Sequence, residues 1–97
     1  MADVLKDFLR LYGLTPKINT RKVFDAWNEA SGASQFTTKL FFRGGILYVT
    51  VSSSVVRSQL SFQRQAILEK MNDLLLSDTL FDPGDKSTGS INEIRIK

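Results

Sequence analysis

The sequence predicts a single α+β domain in the order helix–helix–strand–strand–helix–strand, with a three-stranded sheet. Three observations carry that expectation. Over residues 46–51 the side chains alternate, Leu47, Val49 and Val51 on one face and Ile46, Tyr48 and Thr50 on the other, which is the period of a strand. Gly44-Gly45, just before this run, supplies the positive φ angles of a tight hairpin. After Ser52-Ser53-Ser54 the period becomes helical: Val56, Leu60, Ile67, Met71 and Leu74 recur at spacings that draw one apolar stripe. A chain of 97 residues has room for one such domain.

The first element, within residues 1–14, is a short amphipathic helix built on Val4, Leu5, Phe8, Leu9, Leu11 and Tyr12 and ended by Gly13. Thr15-Pro16 reads as a connector, because the residue before proline avoids the helical region. A second helix follows over residues 20–30, capped by Asn19 or Thr20, with Val23, Phe24, Trp27 and Ala30 on its buried face. Trp27, the only tryptophan, is expected to anchor the core, since burial of its roughly 200 Å² or more is the largest apolar contribution one side chain can make.

Residues 36–43 form the first strand and residues 46–51 the second. Leu40 and Phe42 join Leu47, Val49 and Val51 on the inner face, leaving Lys39, Phe41 and Arg43 opposite Ile46, Tyr48 and Thr50 on the outer one. Aromatic and basic side chains interleaved on a sheet face can stack bases. The preferred reading is that a helix covers this face and that Lys39 and Arg43 border it with their heads in water.

One long helix is expected over residues 54–76. Its second apolar set, Val55, Phe62 and Ala66, lies opposite Leu60 and Ile67, so either another element packs over Phe62 or Phe62 faces a partner; the covering element is preferred. Arg57 and Arg64 fall at nearly the same angle beside Ser61, about 10 Å apart along a straight helix. Arg57 also sits near the helix start, where the macrodipole disfavours a cation. Its compensating charge is either an internal carboxylate or an external acidic group or phosphate.

Residues 77–90, with Pro83, Gly84 and Gly89 among polar residues, read as a mobile loop. The stretch Gly-Asp-Lys-Ser-Thr-Gly lacks the order and the earlier glycine of a phosphate loop, so nucleotide binding is rejected. Residues 91–97 alternate again and close the sheet, with the expected place beside the first strand and antiparallel to it and a place beside the second strand as the alternative.

Composition excludes several chemistries. Without cysteine or histidine there is no disulfide, no thiolate or imidazole metal site and no histidine general base. No pair of acidic residues has a spacing that argues for catalysis, so we expect no catalytic residue, no metal and no cofactor. No apolar run approaches the ~20 residues that span a bilayer, and Asp3, Lys6, Asp7 and Arg10 interrupt the N-terminal apolar positions, which points to a soluble cytoplasmic protein without a membrane partner. The net charge of +3 is unevenly spread. Residues 31–70 carry Lys39, Arg43, Arg57, Arg64 and Lys70 against Glu69 alone, whereas residues 71–97 are net acidic. A patch of that size suits an acidic protein partner or weak phosphate binding.

Several motifs in a fixed order also resemble the DciA-like family of small bacterial domains. They are Trp27 near a helix end, the Thr37-Thr38 strand start, Leu47-x-Val49-x-Val51-Ser52-Ser53, Arg57-x-x-Leu60-Ser61-x-x-Arg64-x-x-Ile67 with Asn72, and Ile94-Arg95-Ile96, together spanning residues 23–97. The resemblance implies a KH-like fold, similar to the DnaA N-terminal domain. It further implies a role as loader or operator of the DnaB-type replicative helicase, with DNA binding in some members. A histidine common at the family's strand start is missing here, and so is the Gly-x-x-Gly loop by which KH domains clamp nucleic acid. The expected function is therefore a non-enzymatic replication accessory that engages the helicase, through a helix flank of Arg57, Ser61 and Arg64. Its rival is a small nucleic-acid-binding module that holds single-stranded DNA or RNA with Lys39, Arg43, Arg57 and Arg64 around Phe41 and Tyr48.

Overall fold

The computed structural model describes residues 2–85 and 88–97. Its elements are α1 (Ala2–Leu11), α2 (Thr15–Ser31), a 3-10 turn (Ser34–Phe36), β1 (Thr37–Arg43), β2 (Ile46–Val51), α3 (Ser54–Phe62), α4 (Arg64–Ser77) and β3 (Glu93–Ile96). The class is α+β as the periodicities predict, with the long helix divided in two.

The hairpin forms where alternation and the Gly-Gly turn place it. Gly44 and Gly45 hold φ of 59° and 80°, a pair of positive angles that only glycine adopts without strain. β1 and β2 pair antiparallel, Phe41 opposite Tyr48 and Phe42 opposite Leu47, with a register shift between Thr37 and Lys39.

β3 departs from expectation: it pairs with β2, not β1, and runs parallel to it, so β2 is the central strand. The turn explains the choice. Gly45 O accepts hydrogen bonds from the N–H groups of Asn92 (2.7 Å) and Glu93 (3.3 Å), which fixes the start of β3 against the start of β2. A Cβ on Gly45 would come within 2.6 Å of the Asn92 side chain, so the same glycine that turns the hairpin admits the third strand. β2 is also the strand whose inner residues are most completely buried, Leu47, Val49 and Val51, and a central place covers both its edges.

Helices pack on the inner sheet face only. Trp27, Val23, Met71, Leu47, Val49 and Ile94 form the closed centre of the core, around which Phe42, Val51, Leu60, Ile67 and Leu75 are also buried. Trp27 anchors it as expected, and its indole N–H donates to Thr37 Oγ1 (3.1 Å), whose own hydroxyl donates to Ala33 O (2.9 Å). That chain of bonds ties α2 to the first residue of β1.

α2 begins five residues earlier than its apolar face suggested. Pro16 sits in its first turn, where the missing N–H is one the helix would leave unbonded anyway. Asn19 is therefore inside the helix and not its cap. Gly32, at φ 63°, ends α2 in the left-handed conformation with its N–H on Asn28 O. Ser53 caps α3 by accepting Val56 N–H at 3.3 Å.

The break between α3 and α4 falls at Gln63, which leaves helical geometry at φ −95°, ψ 5°. Its N–H is shared between the carbonyls of Gln59 and Leu60. The bend lets Leu60 and Ile67 both reach the core and turns Phe62 outward at 93% exposure. Among the described residues no element covers Phe62 or Val55, contrary to the preferred sequence reading.

The described residues between α4 and β3, 78–85 and 88–92, form a loop docked on the helices. Phe81, Asp82, Thr88 and Ile91 are buried. The Asn19 side chain, with no exposed surface, imitates a paired strand. Its Oδ1 accepts Asp82 N–H (2.9 Å), and its Nδ2 donates to Asp82 O (2.8 Å) and Thr88 Oγ1 (3.1 Å). The Asp82 carboxylate accepts from Arg10 Nη2 (2.9 Å) and from Gly84 N–H (2.9 Å), while Lys22 Nζ lies 3.2 Å from Asp78. Polar composition thus reflects bonding and not mobility. Lys86 and Ser87 of the rejected phosphate-loop stretch lie outside the described residues.

Candidate functional site

The outer face of the sheet is open. Registers bring three rows together: Lys39 beside Thr50; Phe41 beside Tyr48 and Arg95; Arg43 beside Ile46 and Glu93. The Phe41 and Tyr48 rings are 5.9 Å apart, tilted by 39°, and the Arg95 guanidinium lies 5.7 Å from the Tyr48 centroid. Phe41 keeps half its surface in water. Beside them a hollow of about 310 Å³ is lined by Lys39, Phe41, Tyr48, Val49, Thr50 and Lys97. Among the described residues no helix covers this face, contrary to the preferred sequence reading, and it carries an aromatic pair framed by Lys39, Arg43, Arg95 and Lys97. Glu93, the one acid among them, is held by Arg95 at 2.8 Å.

The second expected surface changes shape. Arg57 lies in the first turn of α3, and Arg64 opens α4, with the Gln63 bend between them. A straight-helix spacing no longer applies. Arg57 stands near the positive end of α3, where a cation is disfavoured by a few tenths of a kcal/mol or more, whereas Arg64 begins α4 directly after the negative end of α3. Both are exposed. Among the described residues neither has an ion pair, and the same holds for Lys39, Arg43 and Lys70. The internal carboxylate that would have explained Arg57 is thus not among the described residues. Arg57 and Ser61 line one open groove of about 500 Å³ with Ser58, Phe62 and Ile96; Arg64 is not part of that lining.

Sequence reasoning missed three features. Arg95 and Lys97 belong to the outer face, and only the β3 register could show it. Phe62 is exposed at the rim of the α3 groove. In the N-terminal segment read as one short amphipathic helix, only Leu9 of its six apolar residues is buried, while Val4, Leu5, Phe8, Leu11 and Tyr12 face water, with the Phe8 and Tyr12 rings 4.7 Å apart. The signal for α1 was its shortness: a ten-residue helix fixed through Arg10 and Leu9 cannot bury an apolar arc that wide.

Among the described residues no group of acidic side chains could hold a metal ion, and no helix is long and apolar enough to cross a membrane. The two shifted carboxyls are both structural. Hydrogen bonding from Arg10, opposed by burial, holds Asp82 below the usual carboxylate range. At Asp78 burial pushes upward but is outweighed by hydrogen bonds from Leu80 N–H and Lys22.

A family model described as "Dna[CI] antecedent, DciA" matches residues 1–79, from α1 through α4. No curated protein and no solved structure matches the chain.

Proposed function

The chain belongs to the DciA family, a family of DnaB helicase loaders, and we propose that it acts as a non-enzymatic replication accessory that engages that helicase in the cytoplasm. The family match over most of the chain carries the proposal. Two features of the fold support it. One-sided packing of helices on a small mixed sheet suits the KH-like fold that the resemblance implies. The arginines at the starts of α3 and α4, unpaired among the described residues, suit a carboxylate-bearing protein surface, since guanidinium forms paired bonds with carboxylates. Arg57, Ser61 and Arg64 are the residues assigned to that contact. The test is capture of a purified DnaB-type helicase by the chain and by its Arg57→Glu/Arg64→Glu variant. Loss of at least tenfold in affinity, about 1.4 kcal/mol, with a melting temperature within a few degrees of the parent is expected. Equal capture by both proteins refutes the assignment of the arginines, and no capture by either refutes the helicase reading.

One observation favours a second activity: the uncovered aromatic pair on the sheet's outer face. Base stacking on such a ring contributes ~1–3 kcal/mol, and Lys39, Arg43, Arg95 and Lys97 would follow a phosphate backbone. Titration of single-stranded DNA at several salt concentrations should give weak binding that falls steeply with salt and is lost in Phe41→Ala/Tyr48→Ala. Binding that persists in that variant removes the sheet face from the interaction.

A further inference from the structure

α1 turns its apolar side to water. Val4, Leu5, Phe8, Leu11 and Tyr12 are between 44% and 79% exposed, whereas Leu9 is buried and Arg10 binds the Asp82 carboxylate. Tyr12 follows the last residue of α1 but keeps its register, since its N–H donates to Phe8 O at 3.2 Å. At ~100° per residue the five exposed side chains fill one arc centred on Phe8, and Arg10 lies about opposite that centre. No charge interrupts the arc. The cations of α1 serve Asp82 instead: Arg10 bonds to it, and Lys6 adds a through-space attraction that helps keep it ionised. The arc is also symmetric along the chain, because its members stand three and four residues to either side of Phe8.

We propose that this face is covered by the α1 of a second copy of the chain, the two helices lying antiparallel across a two-fold axis at Phe8. The proposal concerns the chain alone and does not depend on the helicase reading. A two-fold interface must be self-complementary, so that position i meets j and j meets i. Symmetry about Phe8 meets that demand: Phe8 falls on Phe8, Leu5 on Leu11 and Val4 on Tyr12, at the three-and-four spacing by which paired helices interlock. Antiparallel helices also set their dipoles head to tail. Side chains of this size and exposure present an apolar patch on the order of 500–650 Å², at or above the largest on a typical monomer. Two such patches bury about 1,000–1,300 Å², the low end of specific interfaces, so the dimer is weak and reversible. A lipid surface is the poorer occupant. Membrane-lying helices keep basic side chains free along the polar face, and here Arg10 is bound to Asp82 with Asp7 beside it at 3.9 Å.

The test is sedimentation equilibrium of the full chain at concentrations up to about 1 mM, where even a weak interface associates. The average mass should rise from 10.9 kDa toward twice that value. Phe8→Glu sets like charges against each other at the axis and should weaken association at least tenfold, with the dilute protein melting within a few degrees of the parent. An equal mixture of Phe8→Glu and Phe8→Lys should regain at least tenfold over either variant alone. Leu11→Glu, at a position 79% exposed, gives a second loss that owes nothing to folding. In a mixture of isotope-labelled and unlabelled chains, Val4 methyl protons should show contacts to the Tyr12 ring of the other copy. The proposal is overturned if the mass stays at that of the monomer up to about 1 mM, or if both glutamate variants associate like the parent. Contacts of Val4 with Val4 across copies would overturn the antiparallel arrangement. A monomer that instead sediments with phosphatidylcholine–phosphatidylglycerol vesicles, and loses them on Phe8→Glu, would assign the face to lipid and overturn the proposal.

Discussion

Replacing Asn19 with alanine tests how this fold holds its long loop. The residue is completely buried inside α2, so the change removes three hydrogen bonds and adds no exposed surface to account for. Alanine is the better helix former by several tenths of a kcal/mol, which works against the loss. What remains is the bonding of Asp82 and Thr88. The Thr88 hydroxyl still donates to Asp85 and the Asp82 carbonyl still accepts from Asp85 N–H (3.3 Å), whereas the Asp82 N–H is left without a partner in a buried place. The stranded N–H costs about 1–3 kcal/mol and each of the other two lost bonds about 0.5–1.5 kcal/mol, and a water entering the vacated amide site recovers part of it. The expected loss is ~2–4 kcal/mol, measured by urea unfolding, or a melting temperature lower by on the order of 10–25 °C for a domain of this size. Hydrogen exchange supplies a second readout. Arg10 binds the same Asp82, so α1 should lose protection together with residues 81–91. A loss below about 1 kcal/mol with α1 unchanged would refute the reasoning, and would assign the loop's anchoring to the buried Phe81 and Ile91 instead.

Two further expectations concern the core and acid stability. Trp27→Ala removes the largest buried side chain and its bond to Thr37, at a cost of ~3–5 kcal/mol in chemical denaturation; a change under about 1 kcal/mol would contradict its place in the core. Asp82 and Asp78 both have folded-state pKa values below the ordinary 3.8, so their contribution is fully present above that value and is lost as pH falls through the lowered ones. The melting temperature should thus be insensitive to these groups from pH 7 to about 5 and fall below about 4, with a shallower acid limb in Asp82→Asn; an unchanged limb in that variant would separate Asp82 from acid stability.

The parts of the fold legible in the sequence are those with local causes. Alternation over residues 46–51, the two glycines before it and the change to a helical period after Ser52-Ser53-Ser54 each act within a few residues, and all three stand as read. The misplaced parts have distant or ambiguous causes. β3 pairs with β2 because Asn92 and Glu93 bond to Gly45, across 47 and 48 residues of chain. The loop is held by Asn19 from 63 residues away, and a polar loop that is bonded has the same composition as one that is mobile. Pro16 was read as a stop, although in the first turn of a helix it is compatible with continuation. The bend at Gln63 has no glycine or proline to mark it. Its only trace was the opposition of Phe62 and Val55 to Leu60 and Ile67, which one straight helix could not have buried together.

Site residues divide by the same rule. Alternation alone puts Lys39, Phe41, Arg43 and Tyr48 on one face, but whether that face is covered depends on where every helix packs. Charge completes the argument. The ion pairs of the described residues join Arg10, Arg21 and Lys22 to Asp7, Asp82, Asp25 and Asp78, and Arg95 to Glu93. Acidic residues of the tail are thus drawn inward to fasten α1 and α2, and the basic residues of 31–70 are left without them. The excess of +4 in that segment consequently becomes an unneutralised surface, divided between the outer sheet face and the starts of α3 and α4. An evenly paired chain of the same composition would present no such field. A recognition surface that must attract an acidic partner, whether carboxylate or phosphate, requires that asymmetry, because surface pairs already formed inside the protein leave little potential for an outside one.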